Sequence, residues 1–325
     1  MNAIANRRFA ISRPSSLPIA RFGVLIAFIV TIVVFAILRP HTFATTDNLK
    51  DVLTQAAIPA VLALGLTVPL AMADFDLSIG AIAGLSMGIC VELMAADSVG
   101  WLLAAILTIL AGVVVGIANG ALVSYFGLNS FITTLASGSV VGGLEAKITG
   151  NDTVYEGIPK TFADLGHNSP LFGLHWPVWI AAVLALVLYL LMNQSESGRR
   201  MYAVGGNREA SLLAGLKVSR LRLIGFVIAG ICAAIAGILL GATSVSYYPN
   251  AGPGLLLPAF AAAFLGSAAS KGLRFTVMGT ILGVLFLGVI QSGLTLMNVE
   301  GWVTNVVQGL VLIGAIGLAR LQRTH

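Results

Sequence analysis

Two carboxylates stand two residues apart in the stretch MADFDLSIG, residues 72–80, between two long apolar runs. An ionisable side chain that close to hydrocarbon is costly, and it marks either a structural partner or a pathway. Two readings of Asp74 and Asp76 follow. In the first, Asp76 or Ser78 caps the next helix through its side-chain oxygen, and Asp74 is a solvated charge at the cytoplasmic interface. In the second, the helix break lies deeper, and the carboxylates line a translocation path and bond hydroxyl groups of a polar solute.

Other polar residues inside apolar runs raise the same question. Glu92, Glu145 and Lys147 fall near the outer ends of their segments, where long side chains snorkel to water or meet a protein docked from outside. Asn119, Asn129, Thr133 and Thr134 flank one turn and are placed to bond between helices, an interaction worth about 0.6–2 kcal/mol in a membrane. Gln291, Asn298, Asn305 and Gln308 belong to the last two apolar segments. Amides of this kind suit a neutral, hydroxylated solute better than charges do, so Asp74, Asp76, Ser78, Asn119, Asn129, Thr133, Gln291 and Asn298 form the candidate pathway set.

A second cluster is VGGNREASLLAGLKVSR, residues 204–220. Gly205 and Gly206 break the chain, Asn207 is placed to cap a short helix, and Glu209 in its first turn suits the helix dipole. Ala210, Leu213 and Ala214 recur at i, i+3 and i+4, and Gly215 is placed to end the helix. With Arg208 and Lys217 at its rim, this is either a docking helix or an interfacial helix held to anionic lipid.

Several chemistries are excluded. The four histidines are scattered, with no metal-ligand spacing, and Cys90 and Cys232 fall inside apolar runs as small buried hydrophobes. No paired His, Asp or Glu arrangement within a segment points to an enzyme. There is no Gly-Lys dipeptide, so no GxxxxGK[ST] phosphate loop exists, and any ATP and Mg are used by another polypeptide. This chain is expected to bind no cofactor of its own.

These residues are positioned by an unusually apolar chain. Of its 325 residues 58% are hydrophobic and only 10% charged, against roughly 25% charged in a soluble domain. With a mean hydropathy of +0.96 the solvent must be lipid. The net charge of +5 sits at segment ends and in one loop, a topology signal rather than a nucleic-acid-binding stripe.

The expected fold is an all-α polytopic membrane protein with about ten transmembrane helices, at 22–38, 52–73, 78–96, 101–124, 130–149, 174–193, 222–244, 256–270, 275–296 and 302–319. The eighth is short, starts near Pro258, and is open to being broken or re-entrant. The first is read as an uncleaved helix rather than a signal peptide. Arg7, Arg8, Arg13 and Arg21 put the tail 1–21 in the cytoplasm, and the basic loop 194–221 lies on the same side. The acid-rich loop 150–173 is periplasmic, and both termini are cytoplasmic. Ten crossings divide into two five-helix halves of opposite orientation, the pattern expected of an inverted repeat of the kind found in transporters. Glycines at 112, 116 and 120, and at 279 and 283, are spaced for close helix packing.

The segments GRRMYAVGGNREASLLAGLKVSRLRLIGFVIAGICAAIAGIL (198–239), DLSIGAIAGLSMG (76–88) and NGALVSYFGLNSFITTLAS (119–137) resemble the permease subunits of bacterial ribose-type sugar ABC importers. The resemblance runs from about residue 47 to 319. FLGSAASKGLRFTVMGT, residues 264–280, departs from the usual pattern and keeps only Gly266, Gly272 and the Gly279–Thr280 pair, as in a divergent member. The resemblance implies import of a small neutral sugar of pentose or hexose type across the bacterial inner membrane. It also implies ABC ATPase subunits inside, a second permease copy or homologue, and a periplasmic solute-binding protein, with no nucleic acid. Residues Gly205, Gly206, Asn207, Arg208, Glu209, Ala210, Leu213, Ala214 and Gly215 would then be the coupling helix that docks on the ATPase. The alternatives are a proton- or sodium-coupled carrier titrating Asp74, Asp76 or Glu92, and ABC import of a polyol or furanosyl signalling compound.

Overall fold

The computed structural model describes residues 19–96 and 99–323, without the side chains of 19–22, Lys271 and 315–323. Arg7, Arg8 and Arg13 of the expected cytoplasmic tail lie outside the described residues. The described chain is helical throughout, with isolated bridges but no strand.

The helices are α1 (Ile19–Leu38), α2 (Thr46–Ala71), α3 (Ile79–Ala95), α4 (Trp101–Ser124), α5 (Ser130–Thr149), α6 (Lys160–His167), α7 (Trp176–Tyr189), α8 (Glu196–Gly206), α9 (Arg208–Leu213), α10 (Val218–Ser244), α11 (Leu256–Ala268), α12 (Val277–Leu296) and α13 (Gly301–Arg323). A π-helical turn over Leu190–Gln194 joins α7 to α8. Among the described residues five helices are long and apolar enough to cross a membrane, α2, α4, α7 with its π turn, α10 and α12, and four shorter apolar helices accompany them. The chain is therefore a multi-pass membrane protein. The 20-residue α5 is missing from both groups because Ser, Thr, Gly, Glu145 and Lys147 dilute its apolar character.

α10 is the central helix. It packs against α2, α3 and α4, and its buried face is rich in Ala and Gly, which lets neighbouring backbones approach closely. Gly112, Gly116 and Gly120 of α4 lie directly on Gly230, Phe226 and Leu223 of α10, within one subunit. Gly279 and Gly283 of α12 do the same against Gly266 and Ala262 of α11. α3 contacts α4, α5 and α10, whereas α11 contacts α12, α13 and α2.

Among the ten helices at the expected crossings, counting α7 with its π turn, α3 and α11 are the shortest, with 17 and 13 residues. A 13-residue helix covers only about 20 Å of a hydrocarbon core about 30 Å thick. The irregular chain before it therefore enters the protein interior: Gly252 packs on Gly80 and Gly84, in the first turns of α3. The break in this crossing lies ahead of Pro258, at a 3-10 turn over Pro253–Leu255.

Candidate functional site: a charged node beside a broken helix

Residues 72–78 answer the question raised by MADFDLSIG. They are non-helical, and they climb along α5 rather than turning at the membrane surface. Phe75 N–H donates to Ser130 Oγ (3.1 Å), and Leu77 N–H donates to Thr134 Oγ1 (3.0 Å), one helical turn higher. Ser78 then packs beside Gly138. Eight residues of α5 separate Ser130 from Gly138, so α3 begins about 12 Å above the start of α5. The break is deep, and protein hydroxyls satisfy the backbone groups that the missing helix would have paired.

Asp74 is not a solvated interfacial charge. It is 2% exposed and held by Arg222 from α10. Arg222 Nε donates to Oδ2 at 2.6 Å and Nη2 to Oδ1 at 2.6 Å, while Nη1 donates to Val123 O at 3.0 Å. Such a bidentate pair combines charge with fixed geometry. Arg208, the first residue of α9, adds Nη2 bonds to Asp74 Oδ1 at 3.2 Å and Met72 O at 3.3 Å. Its guanidinium thus turns in toward the break instead of rimming an outer face. Four elements meet at one carboxylate: the end of α2, the end of α4, α9 and the start of α10.

Asp76 and Ser78 do not form the expected cap. Ser78 has helical backbone angles and makes no side-chain cap bond. Instead Asp76 Oδ1 accepts from the backbone N–H of Ser78 (3.0 Å) and from its hydroxyl, and Asn119 Nδ2 donates to Ser78 Oγ at 2.8 Å. Asp76 is fully buried, and its Oδ2 and Asn119 Oδ1 have no protein partner. Asn129 is exposed and caps α5 by accepting from Ile132 N–H, and Thr133 is buried on α5.

The helix α9 is defined locally. Asn207 Oδ1 accepts from Ala210 N–H at 2.9 Å, and Gly215, at φ +79°, closes the C-terminal end. A left-handed residue favours glycine there. Glu209, Ala210 and Ala214 are exposed, and Leu213 is 90% exposed at the tip. Gly205 has a different function from its neighbour: a Cβ there would strike Ala71 O, so α8 rests directly on the end of α2, whereas Gly206 meets nothing within 4 Å.

Two cavities flank the node. One, of about 340 Å³, is lined by Asp74, Asn129, Ser130, Arg208 and Arg222 among others. The larger, of about 890 Å³, lies between the end of α2, α8, α11 and the α11–α12 link. On its wall Tyr202 OH donates to Phe275 O at 3.1 Å. Burial pushes the Tyr202 hydroxyl up, against a pull down from Arg274, so it stays protonated near neutral pH.

The remaining candidates lie elsewhere. Gln291 is exposed and shares a small cleft with Gln55 and Gln308. Asn298 belongs to neither of the last two helices: it sits in the turn between α12 and α13 at φ +56°. Neither joins the Asp74 node. Glu145 does not snorkel: it is 5% exposed and accepts from Tyr247 OH at 2.9 Å, and Thr149 Oγ1 donates to that same hydroxyl at 3.1 Å. Arg222 and Tyr247 were absent from the sequence candidates, because their partners lie 148 and 102 residues away.

Residues 48–316 match the family described as "Branched-chain amino acid transport system / permease component". The chain is 31% identical to the D-allose transport system permease protein of Escherichia coli strain K12, over 93% of this chain and 92% of that one. It is 34% identical to the ribose import permease protein of Bacillus subtilis strain 168, covering 92% of each. It is also 34% identical to the L-arabinose transport system permease protein of E. coli K12, over 91% of this chain and 89% of the relative.

Proposed function

Since the chain belongs to the branched-chain amino acid transport system / permease component family, we propose that it is the membrane-spanning permease subunit of an ABC importer for a small neutral sugar. Its relatives named for D-allose, ribose and L-arabinose support a monosaccharide of pentose or hexose type. The chain would cross the bacterial inner membrane ten times, with both ends in the cytoplasm. It would work with a second permease copy or homologue, two ATPase subunits that use ATP and Mg, and a periplasmic binding protein.

The two five-helix halves are read as an inverted repeat. The third helix of each half, α3 and α11, is the shortest crossing and begins in irregular chain. Short or interrupted segments in matching positions of two halves mark the transport site in such folds. Their neighbours also correspond: α3 packs on α4, α5 and α10, and α11 on α12, α13 and α2.

One observation carries the mechanism: Asp74 joins α9 and α10 to the broken α2–α3 segment through Arg208 and Arg222. The exposed tip of α9, with Ala210, Leu213 and Ala214, docks on the ATPase. When ATP draws the ATPases together, α9 moves, and its arginine moves Asp74 with it. The 72–78 stretch then slides on the Ser130 and Thr134 hydroxyls of α5, which changes access to the path beside α3. Of the carboxylates an ion-coupled carrier would titrate, Asp74 is committed to two guanidinium groups, whereas Asp76 keeps one unpartnered oxygen, so the uptake assay below decides this alternative.

The test is affinity purification of the chain from its native membrane, followed by uptake assays in proteoliposomes with D-ribose, D-allose and L-arabinose. Recovery of an ATPase with the wild type, and its loss with Leu213→Asp or Ala210→Arg, supports the reading. Uptake by the chain alone, driven by an ion gradient and indifferent to ATP, overturns it.

A further inference from the structure

The large cavity has an aromatic wall that the coupling mechanism does not use. Phe264 of α11 stands at its centre. Its ring lies edge-on to Phe275 (centroids 5.1 Å apart), stacks on Phe75 of the broken segment (6.5 Å), and stacks on Phe260 one turn earlier in α11 (6.3 Å). Phe75 in turn meets Phe131, at the start of α5, edge-to-face at 6.4 Å. The rings therefore form a continuous run from inside α11 to the cytoplasmic ends of α2 and α12. Phe75 comes from the broken segment ahead of α3, Phe260 and Phe264 from α11, and Phe275 from the link that follows α11.

Such a run is not ordinary core. Phe75, Phe260, Phe264 and Phe275 are all partly exposed, and Phe75, Phe264 and Phe275 line the cavity of about 890 Å³. That volume lies within the roughly 300–1,000 Å³ of sites for small ligands. Polar groups line the same space beside the rings: the Tyr202 hydroxyl, which donates to Phe275 O, buried Ser267, whose hydroxyl donates to Phe264 O, Arg274, and the backbone at Gly205 and Gly206. Apolar ring faces bordered by a phenol oxygen, a guanidinium and backbone amide groups complement a solute with an apolar C–H face and a rim of hydroxyls. A cyclic monosaccharide has that shape. A branched-chain amino acid does not need the rings, and its ammonium would find no carboxylate in the cavity lining.

We infer that Phe260, Phe264, Phe75 and Phe275 form a stacking track on which a cyclic sugar leaves the α3–α11 region for the cytoplasm, its hydroxyl edge meeting the Tyr202 oxygen and Arg274. This rests on the sugar-importer reading above. Successive centroid steps of 5.1 to 6.5 Å let a sugar ring contact the next phenyl before it has left the last. Stacking on one ring is worth about 0.5–1.5 kcal/mol beyond area burial. The track is thus sticky enough to guide and weak enough to release.

The test uses the whole importer, reconstituted with its ATPase and binding protein, and radiolabelled D-ribose, D-allose and L-arabinose. Phe264→Leu keeps apolar volume and removes the ring, and Phe264→Tyr keeps the ring. The track predicts that Phe264→Leu lowers sugar carried per ATP hydrolysed roughly three- to tenfold, whereas Phe264→Tyr retains most of it. A second readout places a thiol in the cavity, Leu273→Cys, since the native Cys90 and Cys232 are buried. Millimolar sugar should slow its labelling by a hydrophilic maleimide when Phe264 is present and not when it is leucine. Unchanged transport by Phe264→Leu, with sugar-independent labelling, overturns the track. So does an ATP-independent leak with normal uptake, which would make the rings a plug. If the wild-type importer carries none of the three sugars, the sugar reading itself fails, and the track loses its premise.

Discussion

Under the proposed orientation, with the Asp74 end toward the cytoplasm, the inner and outer ends of this permease are fastened by different chemistry. At the inner end Asp74 is gripped by Arg222 at two 2.6 Å contacts and by Arg208 at 3.2 Å. At the outer end Glu145 of α5 is held by a phenol: Tyr247 OH donates to it, and Thr149 shares that hydroxyl. Tyr247 also pairs through its backbone with Val154 of the 150–173 loop. The inner node is ionic and joins elements that must move together. The outer one is a hydrogen-bonded latch between a helix and two loops, of the kind that opens and re-forms without stranding two full charges. The contrast fits a machine driven from inside and opened outside.

The largest effect that would break this contrast comes from the inner node. Arg222→Gln leaves a buried carboxylate with only a half-exposed arginine, and removing one partner of a buried pair costs about 3–5 kcal/mol. Thermal unfolding of the detergent-purified protein should show the loss. Replacing both partners, Asp74→Leu with Arg222→Met, should restore most of the stability, because well-packed apolar pairs replace buried ion pairs at little cost. Next comes Gly205→Val, which drives a side chain into the Ala71 carbonyl and displaces α8 from α2. Overpacking of this kind costs about 1–3 kcal/mol, and ATPase recovery should persist while uptake falls.

At the outer end Tyr247→Phe removes the donor to Glu145, for about 1–3 kcal/mol. Cross-linking of loop 150–173 to the 245–253 loop should become faster as the latch loosens. Should it equal Arg222→Gln in stability loss, the two ends are not different in kind. The smallest effect is expected at Arg208→Gln, since 40% of its side chain is exposed and such pairs contribute about 0.2–1 kcal/mol. Its signature should appear in the uptake-to-hydrolysis ratio and not in stability.

Much of the helical layout was legible in the sequence. The expected segments 101–124 and 130–149 coincide with α4 and α5, because apolar length is a property of neighbouring residues. The Asn207 cap and the Gly215 stop were readable for the same reason. The irregular eighth segment was flagged by Pro258, yet its cause lies earlier, where Gly252 must pack on Gly80. The node was not legible. Asp74 and Arg222 are far apart in the chain, and Arg222 stood at the first position of the expected segment 222–244 with nothing nearby to mark its partner, whereas it is buried at the start of α10 and paired with Asp74. Nor did local pattern reveal the depth of residues 72–78, which is set by two hydroxyls on α5. The divergent stretch 264–280 kept the glycines that geometry requires: Gly266 and Gly279 touch across α11 and α12, and Gly272 has φ +67°.

The most direct test of the central claim, that Asp74 transmits ATPase movement to the broken segment, is sugar transported per ATP hydrolysed by the Asp74→Leu/Arg222→Met importer in proteoliposomes. The account predicts a folded complex that binds its ATPase and hydrolyses ATP at near wild-type rate while carrying little sugar. A wild-type ratio of sugar to ATP would contradict it, since the force would then reach the pathway without the charged node.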